Sequence, residues 1–175
     1  MTRPDFAICP FAEQNGAVLS DIDRIFFEAS TIRSFASEAA KSAFRERWLG
    51  RYLDRVPENA FIAVRGTSTV GYIVGAAKGN AMFDDIPSTT IFADLLPRFP
   101  AHLHINVASD ARGAGVGSRL MEVFLGHMRR LGVPGVHLVT SEGSRNIGFY
   151  QHNGFRIEAL RPADDRVLVF MGRAP

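Results

Sequence analysis

The period of the apolar positions changes several times along the chain, and each change predicts an element. Asp5 to Ala12 is short and apolar-rich, which predicts a first strand. Ile22, Ile25, Phe26 and Ala29 recur at helical spacing behind Ser20-Asp21, a pair suited to cap a helix. A second helix is expected from Ser37-Glu38. Phe44, Trp48, Leu49, Tyr52 and Leu53 mark its apolar face and Pro57 its end. Phe61 to Val64 and Val70 to Val74 are apolar runs separated by Gly66-Thr67-Ser68-Thr69, the pattern of a β-hairpin.

Gly79 to Pro100 is broken by Pro87, Pro97 and Pro100, so it reads as a long loop with a short helix around Ile91 to Leu96. Loops of this length are often functional, and a substrate lid is the expectation here. His102 to Val107 alternates polar and apolar, as a strand does. From Gly115 the period becomes helical. Val116, Leu120, Phe124, Met128 and Leu131 fall on one stripe, while Arg119, Glu122, Arg129 and Arg130 point away. Gly132 and Pro134 stop that helix. Val136 to Thr140 is another strand. A short helix opens at Ser144 or Asn146, runs through Tyr150 and closes at Asn153-Gly154. Phe155 to Glu158 and Val167 to Met171 are the last strands. The order predicts a mixed α+β fold, and the length fits a single domain over residues 1–175.

Composition narrows the class. Hydrophobic residues make up 46% and charged residues 22%, ordinary globular values. A formal charge of +2 is too small to argue for nucleic acid, and no Lys/Arg cluster of the expected length appears. It suits an anionic small molecule. Cys9 is the single cysteine, so no internal disulfide is expected and a reducing compartment is the default. The first residues lack a signal-peptide core, and no apolar run approaches the ~20 residues needed to span a bilayer. The expected location is the cytoplasm, with no membrane partner.

The segment that carries chemistry joins the predicted strand to the predicted helix: Ser109-Asp110-Ala111-Arg112-Gly113-Ala114-Gly115-Val116-Gly117. The first amides of a helix lack intrahelical acceptors and carry the positive end of its dipole. Glycines let the chain turn tightly and let amides approach a ligand without an intervening Cβ. A phosphate fits such a site. Arg112 either adds a charged donor at its edge or packs across the loop. A P-loop is excluded because Gly-Lys followed by Ser or Thr is absent. A dinucleotide fingerprint fits poorly. Ser118 replaces its third glycine, Ser109 to Arg112 separate the strand from the first, and little chain remains for a second nucleotide-binding half.

Arg112-x-x-Gly115-x-Gly117 matches the Gln/Arg-x-x-Gly-x-Gly/Ala signature of the GCN5-related N-acetyltransferases, and Asn146-Ile147-Gly148-Phe149-Tyr150 through Asn153-Gly154-Phe155 resembles their second motif, in the same order and spacing. The resemblance runs from about His102 to Phe170. Pro100 to Ile105, Phe149-Tyr150 and Val167 to Arg173 also look like the acetyltransferase-like C-terminal domain of O-GlcNAcase and its stand-alone bacterial relatives. The resemblance implies a twisted mixed sheet of about seven strands with helices on both faces, binding acetyl-CoA without a metal. Backbone groups of Ile105, Asn106 and Val107 would hold the pantetheine arm. The amides of Arg112, Gly113, Ala114, Gly115, Val116, Gly117 and Ser118 would take the pyrophosphate. Asn146 would contact the pantetheine or a water, and Tyr150 would line the cofactor site and act as general acid.

Direct attack of an amine on the thioester needs a neutral amine, a polarised carbonyl and a proton for the thiolate. His102, His104, Asp110 and Glu142 are candidates for the base, with His104 and Asp110 preferred. His102 and His104 alternate onto one strand face roughly 7 Å apart, and imidazole is suited to proton transfer near neutral pH. The acceptor is a small-molecule or protein amine, and a homodimer is expected. The alternative is an acetyltransferase-like module that binds acyl-CoA or a protein partner without catalysis.

Overall fold

The computed structural model describes residues 5–11, 17–32, 34–78 and 85–175. Seven strands form one mixed open sheet in the order β1-β2-β3-β4-β5-β7-β6. They are β1 (Ala7–Pro10), β2 (Phe61–Arg65), β3 (Ser68–Ala76), β4 (Ala101–Val107), β5 (Val136–Ser141), β6 (Arg156–Ala163) and β7 (Arg166–Arg173). The flanking helices are α1 (Ala17–Ala29), α2 (Glu38–Arg45), α3 (Arg51–Arg55), α4 (Pro87–Ile91), α5 (Val116–Arg130) and α6 (Asn146–His152). β4 pairs parallel with β5, whereas β1/β2, β2/β3, β5/β7 and β6/β7 are antiparallel. The chain divides into two compact units. The described residues of the first fall within Met1–Gly75 and His104–Phe124, and those of the second within Ala76–Leu103 and Leu125–Pro175.

In the first unit, Ile22, Ile25 and Phe26 of α1 are buried, as their spacing predicts. The helix already begins at Ala17, so Ser20-Asp21 lies inside it and does not cap it. Asp21 serves another end: its carboxylate accepts the Thr69 amide at 2.8 Å. Ser37 does cap α2, its hydroxyl accepting the Ala40 amide at 3.1 Å. The second helix is not one straight α-helix. A π-helical turn, Glu46–Gly50, joins α2 to α3, with the Arg51 amide donating to the Glu46 carbonyl five residues back. The β2–β3 turn is tighter than expected, because only Gly66 and Thr67 lie between the strands, with Gly66 at φ 59°.

α5 carries the expected stripe. Val116, Leu120, Phe124 and Met128 are all buried, each worth about 1.5–3 kcal/mol of transfer free energy. Leu131 is the exception. The helix ends at Arg130 in a left-handed Gly132 (φ 69°), and the Val133 amide reaches back to the Met128 carbonyl, so Leu131 turns outward.

In the second unit Phe92, Phe99, Leu168 and Phe170 form a core, with Ile91, Leu95, Leu96 and Val139 packed against it. His137 stacks on Phe170 at 4.8 Å and 14°, and its Nδ1–H donates to the Phe99 carbonyl at 2.7 Å. Burial holds this imidazole at about 4, well below the ordinary histidine range. Within the expected lid, residues 79–84 lie outside the described residues. The short helix falls earlier than predicted, at Pro87–Ile91, because Pro87 with its fixed φ starts it. The residues after it are docked. Arg161 of β6 makes a two-pronged pair with Asp94 at 2.6 and 2.7 Å, donates to the Ile91 carbonyl and covers the Phe92 ring. Arg98 pairs with Glu158 at 2.9 Å.

Candidate functional site

In the first unit, β4 leads into a short 3₁₀ turn, Ser109–Ala111, then the glycine loop, then α5. Ala108 is tied to β3 through the Val70 carbonyl, which fixes where the loop starts. α5 enters close over β3: a Cβ on Gly71 would meet Val116 Cγ1 at 3.2 Å and Leu120 Cδ1 at 3.3 Å. Gly113 and Gly115 have φ 78° and 81°, the left-handed region that a side chain disfavours. A Cβ built on either meets nothing within 4 Å, so the loop faces open space. The first helical bond runs from the Arg119 amide to the Gly115 carbonyl. Val116, Gly117 and Ser118 therefore offer amides that precede the helical ladder, at the positive end of a 15-residue helix. Of the two roles open to Arg112, the side chain takes the structural one: it packs back across the loop, Nε donating to the Val107 carbonyl at 3.2 Å.

Ile105, Asn106 and Val107 lie at the C-terminal end of β4. Among the described residues, β4 pairs with β5 at Ala101↔Val136 and His102↔His137. The side chain of Asn106 is engaged as well: its Nδ2 donates to the Tyr72 hydroxyl at 2.7 Å. Burial pushes the Tyr72 phenol well above its ordinary range, against a smaller downward effect of this bond.

His104 is half-buried. Its Nε2 lies 3.2 Å from the Tyr52 hydroxyl, and Trp48 and Tyr52 meet its ring edge-on at 5.4 and 5.2 Å. Asp110 is exposed in the 3₁₀ turn. The sequence placed Trp48 and Tyr52 on an apolar helix face, and their meeting with His104 was not visible there. Nothing in a one-dimensional pattern links residues 52 positions apart.

In the second unit, Tyr150 sits on α6, which ends in a left-handed Gly154 (φ 81°) with the Phe155 amide returning to the Tyr150 carbonyl. Its ring packs edge-on against Phe149 and Phe155 at 5.3 and 5.9 Å. Burial pushes the phenol up to about 12, and among the described residues its hydroxyl has no hydrogen-bond partner. Asn146 is the first residue of α6, not its cap, and its Oδ1 accepts the Thr140 hydroxyl at 3.0 Å. His102 is buried with its ring 5.8 Å from that of His137, a packed position unlike that of a solvent-facing base. Glu142 is exposed after β5. Among the described residues no group of three or more His, Cys, Asp or Glu could hold a metal ion.

This arrangement has relatives among solved structures. SsHAT is 21% identical, with 98% of each chain covered and a TM-score of 0.76. The NatC complex bound to Gag peptide and CoA is 18% identical, covering 97% of this chain and 98% of that one, with a TM-score of 0.67. yncA from Salmonella typhimurium, solved with its cofactor acetyl-CoA, is 16% identical, covering 97% and 94%, with a TM-score of 0.63. At such identities the likeness is one of fold. The sequence profile of the acetyltransferase (GNAT) family matches residues 21–155, well over half the chain. With the glycine loop, the mixed sheet and that match together, the chain belongs to the acetyltransferase (GNAT) family.

Proposed function

We propose that this protein binds acetyl-CoA and transfers its acetyl group to an amine by direct attack. The observation that carries the reading is the glycine loop: two left-handed glycines face open space directly ahead of the unladdered amides of a long helix. That is the geometry an anionic phosphate needs. The residues present fit the cosubstrate, because the loop offers backbone donors and carries no Cβ at Gly113 and Gly115, where the space is open.

In this reading the amides from Arg112 to Ser118 hold the pyrophosphate, and Arg112 braces the loop through Val107. Ile105, Asn106 and Val107 offer backbone groups to the pantetheine arm, from the end of β4 that leads into the glycine loop. Asn146 orients the same arm or a water. His104, or Asp110 in its place, takes a proton from the acceptor ammonium so that the neutral amine can attack. Tyr150 keeps its proton throughout the neutral range and donates it to sulfur as the carbon–sulfur bond breaks. The acceptor is a small-molecule or protein amine. The likeness to the O-GlcNAcase domain and the fold shared with a peptide-bound complex favour a protein amine. Among the described residues no helix is long and apolar enough to cross a membrane. The single cysteine suits a reducing compartment, and the reading is of a cytoplasmic protein acting as a homodimer.

Calorimetric titration with acetyl-CoA, beside an NADH control, tests the reading. Micromolar binding of acetyl-CoA alone is expected. Tyr150→Phe should retain that affinity while acetyl transfer to a panel of amines and peptides falls at least tenfold. Absent binding would overturn the proposal. Binding with no transfer by the parent protein would leave a module that carries acyl-CoA without catalysis.

A further inference from the structure

We propose that Tyr52 is a positioning residue for His104: its hydroxyl oxygen accepts from Nε2–H and so selects the imidazole tautomer whose Nδ1 is basic. The proposal rests on the reading above, in which His104 takes the acceptor's proton.

A neutral imidazole has one donor and one acceptor nitrogen, and the partner of one decides the role of the other. The Tyr52 hydroxyl and Nε2 are 3.2 Å apart. Tyr52 is fully buried at 0% exposure, so its phenol cannot itself reach an acceptor amine, and its hydroxyl lies against His104 instead. Trp48 and Tyr52 stand edge-on to the ring, at 84° and 68°, which limits its rotation. The local backbone points the same way. Trp48 lies within the π-helical turn and Tyr52 just beyond it. Such a turn shifts the side-chain register of the following helix by one residue relative to a straight α-helix. It is an uncommon conformation that recurs at functional sites. Here it coincides with the two aromatic residues that meet one histidine.

The step is a proton transfer. The N–H bond of the acceptor ammonium breaks, its electron pair stays on the amine, and the proton binds Nδ1 of His104. The resulting imidazolium keeps its Nε2–H on the Tyr52 oxygen, which stabilises the positive charge. Attack of the freed amine then forms the N–C bond. The C–S bond breaks with its electron pair on sulfur, and the thiolate takes the proton that Tyr150 donates. The amide nitrogen sheds its surplus proton to the tyrosinate left behind, so that one amine and one thioester give one amide and one thiol.

The test is spectroscopic and needs no cosubstrate. Two-bond ¹H–¹⁵N correlation spectra of the protein at neutral pH should show His104 in a single Nε2–H tautomer. In Tyr52→Phe, which keeps the ring and removes only the oxygen, the Nε2–H tautomer should lose population to the Nδ1–H tautomer, with near-ultraviolet circular dichroism unchanged. In turnover assays this variant should lose kcat at least tenfold while the KM for acetyl-CoA stays within about twofold. An Nδ1–H tautomer in the parent, or an identical His104 spectrum in the variant, would overturn the proposal. Failure of acetyl-CoA to bind the parent would instead strike the functional reading and leave the tautomer result standing.

Discussion

Gly115→Ala and Gly66→Ala form a matched pair that separates the cost of a left-handed residue from the loss of a ligand. Gly115 has φ 81° and Gly66 φ 59°, and in both cases a Cβ meets nothing within 4 Å. Neither change creates a clash, so the cost is conformational. An L-residue held left-handed costs about 1–2 kcal/mol. A less flexible unfolded chain returns about 0.4–1 kcal/mol. Each variant should therefore be destabilised by about 1 kcal/mol, a fall in Tm of about 2–4 °C for a chain of this length. Binding should differ. At Gly115 the new methyl stands in the open face of the loop, or the loop leaves the left-handed region and its amides turn away. Either result should weaken acetyl-CoA at least tenfold, about 1.4 kcal/mol. Gly66 lies in the β2–β3 turn and should leave the affinity unchanged. Thermal melts and calorimetric titrations of both variants supply the numbers. Equal acetyl-CoA affinities in the two variants and the parent would refute the assignment of the loop, whatever happened to Tm.

Two further outcomes follow from the second unit. His137 holds a folded-state value near 4 against an ordinary 6.5, so below 6.5 the unfolded chain takes up a proton that the folded chain refuses. Stability is then fully present above about 6.5 and is lost as pH falls toward 4. The loss attributable to this residue is about 2 kcal/mol at pH 5. Urea denaturation at pH 7.5 and 5 should show it, and His137→Gln should flatten the slope between them; an unaltered slope would exclude His137 as its origin. Arg161→Ala removes the two-pronged pair with Asp94, which is itself held below the usual carboxylate range by the Arg161 hydrogen bond. Amide exchange should speed up at Phe92, Leu95 and Phe99, whose amides close the turns of the docked segment. Unchanged protection there would mean that the Phe92–Phe99–Phe170 core alone fixes it.

Much of this molecule follows from local rules that a sequence displays. The stripe Val116, Leu120, Phe124 and Met128 must lie on one face of any helix, and the sheet-and-helix order could be read from changes of period. The glycine loop was legible for the same reason: left-handed turns and free amides at a helix start are properties of neighbouring residues. What failed locally failed at boundaries. Ser20-Asp21 looks like a cap, but the helix already begins at Ala17 and Asp21 instead accepts the distant Thr69 amide. Leu131 continues the stripe, yet Gly132 ends the helix before it can pack. The partners of the polar side chains were beyond the sequence, because they join residues distant along the chain. Tyr52 meets His104, Asn106 meets Tyr72 and Arg161 meets Asp94 only once the sheet and helices are assembled. Short-range sterics and periodicity thus determine which elements form and where the open glycine loop meets the start of a helix. Long-range packing decides the tautomers, the proton affinities and the docking of the 85–98 segment, since each depends on burial and on partners that adjacency in the chain does not supply.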